Sequence, residues 1–512
     1  MQPLDQAALQ GMAIAVHALE RPDDLAVVSH YGDRSFKELN ANANRLVRLL
    51  SSAGLRPGDS IAVLSKNRPE FLEALFAALR YGLRFTPINF HLTGDEAGYI
   101  ADNCDAKAFL VDASLKDTAI EALGCAPNVT LKLCFGGSLD GFSDYGSKLE
   151  AEDDSDITEP QLGGTMLYTS GTTGRPKGVF RKVHAPVMPS QAGTFANYEP
   201  GNDRQLLTGP CYHAAPLLID ILQPLVSGVG IVMMDRWNAE EALRLIAQHR
   251  ITHSHMVATM FHRLLQLPAE TRSSFDISSL KLVIHGAAPC PVHVKRDMID
   301  WLGPVIWEYY AATEGGGGFI VGSDEWLTKP GTVGKADPMF DNVILNDDGG
   351  ETSAGEIGTI YMPAPDTGRF EYYKDSKKTE GSYRGHRFTL GDMGYFDEDG
   401  YLFLTGRTAE LIISGGVNIY PVEVDNVLFQ HAAVSDACTV GIPNDEWGEE
   451  VRGVVQLAPD VEATDELKEE LLTWVREHLA AFKCPRAIDF TDEVPRSAAG
   501  KVQRRQVRDG YL

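Results

Sequence analysis

The sequence predicts an α/β protein, with a large N-terminal α/β domain of several subdomains followed by a small C-terminal α/β domain. Short apolar, strand-like runs alternate with helical patterns from Phe36 to Tyr309, which is the spacing of βαβ units and a parallel sheet. A chain of 512 residues exceeds what one ordinary core supports. Residues 408–512 carry helical patterns of their own near Pro421 to Phe429 and Glu466 to Ala481, which places the domain boundary close to Arg407.

Taken in order, Ser35-Phe-Lys-Glu38 reads as a capping box, and Leu39, Leu46, Val47, Leu49 and Leu50 continue at helical spacing, predicting a helix from Phe36 to Ala53. A strand follows over Ile61 to Leu64. Pro69 then starts a helix that runs to Tyr81 and stops at Gly82. Ala108 to Val111 is a further strand, and the acidic stretch Leu149 to Pro160 is an exposed connector. Downstream, strands are expected at Leu206 to Pro210, Ile231 to Met234, Ile251 to Val257, Leu280 to Ile284 and Val305 to Tyr309. Helices are expected at Leu217 to Val226 and Ala239 to His249.

The connector delivers the chain to Tyr168-Thr169-Ser170-Gly171-Thr172-Thr173-Gly174-Arg175-Pro176-Lys177-Gly178. Glycines let the backbone turn tightly, so that successive N–H groups converge on an anion. Hydroxyls of Thr169, Ser170, Thr172 and Thr173 add donors, and Lys177 adds a point charge, so the expected ligand is a phosphate. The P-loop of kinases and ATPases fails here, because Pro176 precedes Lys177, Gly178 follows it, and Val179 to Lys182 do not start a helix. A solvated Ser/Thr/Gly turn is the plain alternative.

Other small-residue turns follow strands in the same way. His285-Gly286-Ala287-Ala288 offers backbone against which a flat ring could lie. Tyr310-Ala-Ala-Thr313-Glu314 runs into Gly315 to Gly318, which reads either as a flexible loop or as a ligand site headed by a hydroxyl and a carboxylate. His253 and His255 share a strand face, but without a nearby carboxylate or cysteine they read as packed or lining residues rather than metal ligands.

Composition narrows the partners. A net charge of -25, from 46 Lys and Arg against 71 Asp and Glu, opposes a nucleic-acid backbone as main partner, so an anionic substrate must be met by local cations. The seven scattered cysteines form no C-x-x-C pair, as expected of a reduced, cytoplasmic setting. No run reaches membrane-spanning length.

Five stretches then occur in one order: Tyr168 to Gly178, Tyr310 to Glu314, Leu390-Gly-Asp392, Thr405-Gly-Arg407 with Ile412 to Pro421, and Pro495-Arg-Ser-Ala-Ala-Gly-Lys501. Together they resemble the acyl-adenylate-forming (AMP-binding) superfamily, over Phe36 to Arg505, and within it the acyl-CoA synthetases that act on fatty acids or related carboxylic acids. The resemblance implies ATP, Mg²⁺ and coenzyme A as cofactors and a carboxylic acid as substrate, with a homodimer left open. It implies that Lys501 bridges the acid carboxylate and the α-phosphate, that Glu314 holds Mg²⁺, and that Thr313 helps bind phosphate. Asp392 would take the ribose and Arg407 support it. His285, Gly286, Ala287, Ala288 and Tyr310 would frame adenine, and the phosphate loop would grip the leaving phosphates.

It further implies that the small domain, residues 408–512, is mobile, rotating between the two steps to present Ser414-Gly415-Gly416 to the pantetheine arm. Tyr212-His213 would stand at the mouth of the acyl channel, His213 as its gate or as a buried structural histidine. Met256, Val257 and the side-chain-free run after Glu314 would form the wall, leaving room for a bulky acid. Two positions depart from the family pattern: Ala409 stands where the pivot is usually Asp or Lys, and Glu410 where Asp is common.

The leading function is therefore an acid–CoA ligase. A stand-alone enzyme loading a carrier protein's phosphopantetheine is the alternative, disfavoured because no carrier domain follows Leu512, and a non-catalytic nucleotide-binding protein is a third.

Overall fold

The computed structural model describes residues 3–169, 176–414, 417–444, 447–497 and 500–512, with the side chains of 192–195 also left aside. Two sheets organise the N-terminal part. One has six strands, all parallel, in the spatial order Ser143–Asp144, Leu131–Phe135, Ala106–Asp112, Ser60–Leu64, Arg84–Ile88, Gly164–Thr165. The other has nine, with a parallel centre formed by Ile306–Ala312, Leu282–His285, His253–Met256, Arg204–Leu207, Gly230–Met233 and Leu25–Ser29.

The helices Phe36–Ser52 and Pro69–Arg80 lie between these sheets. Leu39, Leu46, Leu50, Phe71, Leu72 and Leu75 from the helices share one buried cluster with Val27 and Ile231 of the larger sheet and Ile61, Phe85 and Leu110 of the smaller. Both helices start as their sequences require. The Ser35 hydroxyl accepts from the Glu38 amide at 3.2 Å while the Glu38 carboxylate accepts from the Ser35 amide at 2.8 Å, and Pro69 occupies the first turn of the second helix, where no donor is lost.

Further along, Leu167–Thr169 and Lys177–Arg181 form an antiparallel hairpin with Thr169 opposite Lys177, and Phe370–Tyr372 extends it. Asp392–Phe396 and Leu402–Arg407 pair antiparallel in another sheet. The chain then passes through the short turn Thr408–Glu410 into a C-terminal sheet built from Ile412–Ser414, Val417–Ile419, Val434–Asn444, Gly448–Leu457 and Ala487–Thr491. Pro421–Leu428 and Asp465–His478 pack on that sheet through Val424, Leu428, Leu471 and Val475.

Two expectations are corrected. The stretch expected as an ordinary helix over Leu217 to Val226 is a π-helical segment, Pro216–Leu222, that becomes α-helical only over Gln223–Val226. The glycines 315–318 do not form a loop; they open the strand Gly315–Gly322, which pairs antiparallel with Ile306–Ala312. No helix among the described residues is long and apolar enough to cross a membrane.

Candidate active site

Asp392 and Arg407 face each other across the antiparallel pair, so the ladder itself brings a carboxylate and a guanidinium together. Arg407 Nε donates to Asp392 Oδ1 at 2.7 Å and the Tyr310 hydroxyl donates to Oδ2 at 2.7 Å. Both oxygens are therefore anchored while each keeps lone pairs to accept from another donor. Tyr310 arrives from Ile306–Ala312, the last of the parallel central strands of the nine-stranded sheet, and its hydroxyl joins that sheet to the Asp392 strand at one point.

The phosphate hairpin is tied to the same corner. Arg181 donates to the carbonyl oxygens of Thr313 (3.2 Å) and Glu314 (2.6 Å), and the Tyr372 hydroxyl donates to Glu314 Oε1 at 2.9 Å. Lys177, four residues before Arg181 on the same strand, has a buried ammonium with no hydrogen-bond partner among the described residues, 5.7 Å from the centre of the Tyr372 ring. A buried, unpartnered cation at the base of a glycine-rich hairpin is the arrangement expected when its partner is a bound anion. Ser170, Gly171, Thr172, Thr173 and Gly174 lie outside the described residues, and Thr169 is the last strand residue before them.

The turn after Leu282–His285 is only partly as expected. Ala287 holds a left-handed φ of 66°, a conformation uncommon for a side-chain-bearing residue. Gly286 is required sterically, since a Cβ there would fall 2.5 Å from the Tyr309 ring. Gly286, Ala287 and Ala288 offer backbone to a ring. The His285 ring does not, because it is fully buried, 5.0 Å from the Phe261 ring centre and 3.6 Å from Glu308 Oε2. Burial, with Lys295 adding to it, keeps that imidazole neutral by pushing it well below the usual histidine range. The expectation that His285 frames adenine thus reduces to its backbone.

The C-terminal turn reaches this cleft. Arg496 is held by both carboxylate oxygens of Asp436 at 2.6 and 2.7 Å and donates to the Gly500 carbonyl at 2.6 Å, which shapes the segment before Lys501. Gly500 presses on the large domain so closely that a Cβ would fall 2.8 Å from Thr259 Oγ1 and 3.1 Å from Val257 Cγ2. Lys501 is solvent-exposed, although many protein atoms surround its ammonium. Burial first, then the charge of Arg407, hold its ammonium below the usual lysine range, opposed by Asp392, Glu314 and Glu410. Residues from three separate parts of the chain thus act on one ammonium.

His213 lines the same space. Burial, then Lys501 and His255, push its ring down to about 4, so it is a neutral imidazole at ordinary pH. Ser414 stands elsewhere, in the C-terminal hairpin opposite Val417 and paired with Gly448; Gly415 and Gly416 lie outside the described residues.

The glycine run leaves no free room. A Cβ at Gly317 would meet Asn342 Oδ1 and the Phe319 ring, at Gly318 the Phe340 ring at 2.6 Å, and at Gly315 the Phe388 ring at 3.1 Å. The missing side chains admit neighbouring protein, not substrate. Sequence reasoning also missed Arg181 and Tyr372, the two residues that lock Thr313 and Glu314 in place. Strand alternation from Lys177 could have found Arg181; no motif surrounds Tyr372.

Among the described residues no three His, Cys, Asp or Glu side chains cluster as a metal cage. A single carboxylate anchored by Tyr372 still suits Mg²⁺, which keeps several waters and takes most other ligands from phosphate oxygens.

Comparison with known proteins agrees with this geometry. The family model described as AMP-binding enzyme matches residues 14–370, and the AMP-binding enzyme C-terminal domain matches residues 423–501. An indoleacetate–CoA ligase of Aromatoleum aromaticum is 30% identical over 498 residues, covering 96% of each chain. A feruloyl-CoA synthase of an Amycolatopsis species is 31% identical over 476 residues, covering 93% of each. The crystal structure of the anthranilate CoA ligase AuaEII with anthranoyl-AMP superposes with a TM-score of 0.87 at 22% identity, covering 98% of this chain and 97% of that one, a likeness of fold. With both family models matched in order along the chain and this cleft between their regions, the protein belongs to the AMP-binding enzyme family.

Proposed function

We propose that the protein is an ATP-dependent acid–CoA ligase that forms an acyl-adenylate and passes the acyl group to coenzyme A, releasing AMP and pyrophosphate. The observation that carries this is the convergence of Asp392, Glu314 and Arg407 on Lys501. A carboxylate attacking an α-phosphate must approach another anion, and at about 4 Å that repulsion is roughly 4 kcal/mol at an effective dielectric near 20. An ammonium placed there cancels it where it arises.

In this reading the acid carboxylate meets Lys501 and attacks the α-phosphorus while the bond to the bridging oxygen of pyrophosphate breaks. Lys177 and the hairpin it closes take the charge left on the departing phosphates. Asp392, steadied by Tyr310 and Arg407, accepts from the ribose hydroxyls, and the 286–288 backbone lies against adenine. Glu314 would hold Mg²⁺, whose charge offsets that of the phosphates, with Thr313 beside it. Neutral His213 borders the acyl group.

The thiol of CoA then attacks the acyl carbonyl and AMP leaves, a step that needs positioning more than a strong base. For this the C-terminal body, residues 408–512, rotates against 1–407 and exchanges Lys501 for the Ser414 hairpin. Ala409 leaves the turn without a charged pivot; Arg504 ties the next residue, Glu410, to the C-terminal body at 3.1 Å through its bond to Asp425. The acid is a bulky, ring-bearing one, in keeping with the aromatic acids named for the relatives, and the setting is the cytoplasm.

The test is carboxylate-dependent exchange of labelled pyrophosphate into ATP across a panel of acids, followed by addition of CoA. Exchange with thioester formation is expected. Exchange without thioester would favour carrier loading, and no exchange with any acid would leave a binding protein.

A further inference from the structure

The adenylation chemistry leaves unused a buried polar chain on one face of the nine-stranded sheet. His255 is registered beside Ile284, and Ile284 beside Trp307. Because side chains alternate along a strand, His255 and Tyr309 share that face while Tyr310, which holds Asp392, points to the other. The Tyr309 hydroxyl lies 3.2 Å from His255 Nε2, and His255 Nδ1 lies 3.6 Å from Asp220 Oδ2. Asp220, fully buried, sits in the π-helical segment Pro216–Leu222, a distortion frequent at functional sites. Its other oxygen accepts from Gln205 Nε2 at 2.6 Å and from the His255 amide at 3.2 Å. The Tyr198 hydroxyl in turn donates to Gln205 Oε1 at 3.0 Å.

A purely structural network would close on itself. This one does not. Asp220 Oδ2 has no hydrogen bond among the described residues, since 3.6 Å is too long for one, so its lone pairs are left facing His255 Nδ1. That draws the ring proton to Nδ1 and leaves Nε2 to accept from Tyr309. The Tyr309 oxygen then has lone pairs but no proton to offer. Tyr309 also keeps open surface although protein surrounds it and burial raises its hydroxyl far above the usual tyrosine range, the pattern of a residue lining an enclosed cleft. The cleft is the one bounded by the turn at Gly286, whose Cβ, were there one, would fall 2.5 Å from the Tyr309 ring. The chain of groups therefore runs from Asp220 through His255 to an acceptor beside the ligand turn.

We propose that Tyr309, oriented by His255 and Asp220, determines acyl specificity by accepting a hydrogen bond from a hydroxyl, amine or ring N–H borne by the acid away from its carboxylate. The inference rests on the acid–CoA ligase reading and narrows its substrate class. Acids whose far end is wholly apolar would leave the buried phenol oxygen without a donor, and sites built around a hydrogen bond reject analogues that lack it.

The test uses acid pairs that differ only in that donor: indole-3-acetate with 1-methylindole-3-acetate, 4-hydroxyphenylacetate with 4-methoxyphenylacetate, ferulate with 3,4-dimethoxycinnamate, and 12-hydroxydodecanoate with dodecanoate. The ratio of kcat/KM within each pair is read by pyrophosphate exchange. Among the pairs that turn over, the donor-bearing member is expected to lead by about 10-fold or more in at least one, and Tyr309→Phe to reduce that lead to about 3-fold or less. His255→Phe should do the same, since it removes the group that orients the hydroxyl. Ratios near unity in the parent protein in every productive pair would overturn the proposal without any variant, and so would a lead that survives Tyr309→Phe in a protein that melts like its parent. Turnover without donor preference sinks this inference alone, whereas no exchange with any acid sinks the ligase reading and takes this inference with it.

Discussion

The two charged corners of the cleft are built on opposite principles. Asp392 has both oxygens engaged, by Arg407 and Tyr310 at 2.7 Å each, whereas the ammonium of Lys177 has no hydrogen-bond partner and that of Lys501 no ion pair among the described residues. A carboxylate that must receive a neutral sugar can be paired in advance, because the sugar hydroxyls add to its existing bonds. Cations that must receive phosphate and carboxylate cannot, because an internal anion would have to be displaced first. The difference separates the part of the site that is preorganised from the part that carries an unfavourable charge until substrate arrives.

Breaking the unpaired side should cost most. Lys501→Ala is expected to slow adenylation by about 3 to 4 kcal/mol, on the scale of a key charge-stabilising donor. Thioester formation from preformed acyl-adenylate should be nearly unaffected; equal loss in both half-reactions would argue against alternation of the small domain. On the paired side, Asp392→Asn replaces a charge-assisted acceptor by a neutral one, and about 1.5 to 3 kcal/mol of nucleotide affinity should disappear, seen as a raised KM for ATP with a smaller change in kcat.

Protonation sharpens the contrast. Because burial and Arg407 lower the Lys501 pKa, its charge is lost at lower pH than for an ordinary lysine, so adenylation should fall by about tenfold per unit once pH rises past that value. Lys501→Arg keeps its charge there and should remove this alkaline limb, even with lower activity at neutral pH. A pH profile unchanged by the replacement would assign the limb to another group. The smallest effect is expected at Lys182, whose ammonium pairs at 2.7 Å with Glu371 on an exposed surface. Lys182→Ala should change stability by less than about 1 kcal/mol and leave adenylation intact, because solvent already screens that pair.

Legibility followed the range of the interaction. The Ser35–Glu38 capping box and Pro69 were readable because both act within one helical turn, and Asp392, Glu314, Arg407 and Lys501 were readable from short motifs. His285 was not, because packing against Phe261 and Glu308, far off in sequence, buries its ring. The glycine run was misread for a related reason. Residues without side chains look the same in sequence whether they make room for a substrate or for Phe340 and Asn342. Tyr372 became visible only where the phosphate hairpin packs against Glu314.

The sequence by itself determined the α/β class, the capped helices Phe36–Ser52 and Pro69–Arg80, the family and the residue types of the adenylation chemistry, since these depend on local propensity and short-range motifs. The tertiary structure decided which faces meet: that Lys501 feels the charges of Asp392, Glu314 and Arg407, and that Asp220, His255 and Tyr309 line up from a π-helical segment and two strands. Charge and hydrogen bonding act through space over a few ångströms, and residues 82 apart in sequence, such as Tyr310 and Asp392, come within that range only when the sheets are assembled.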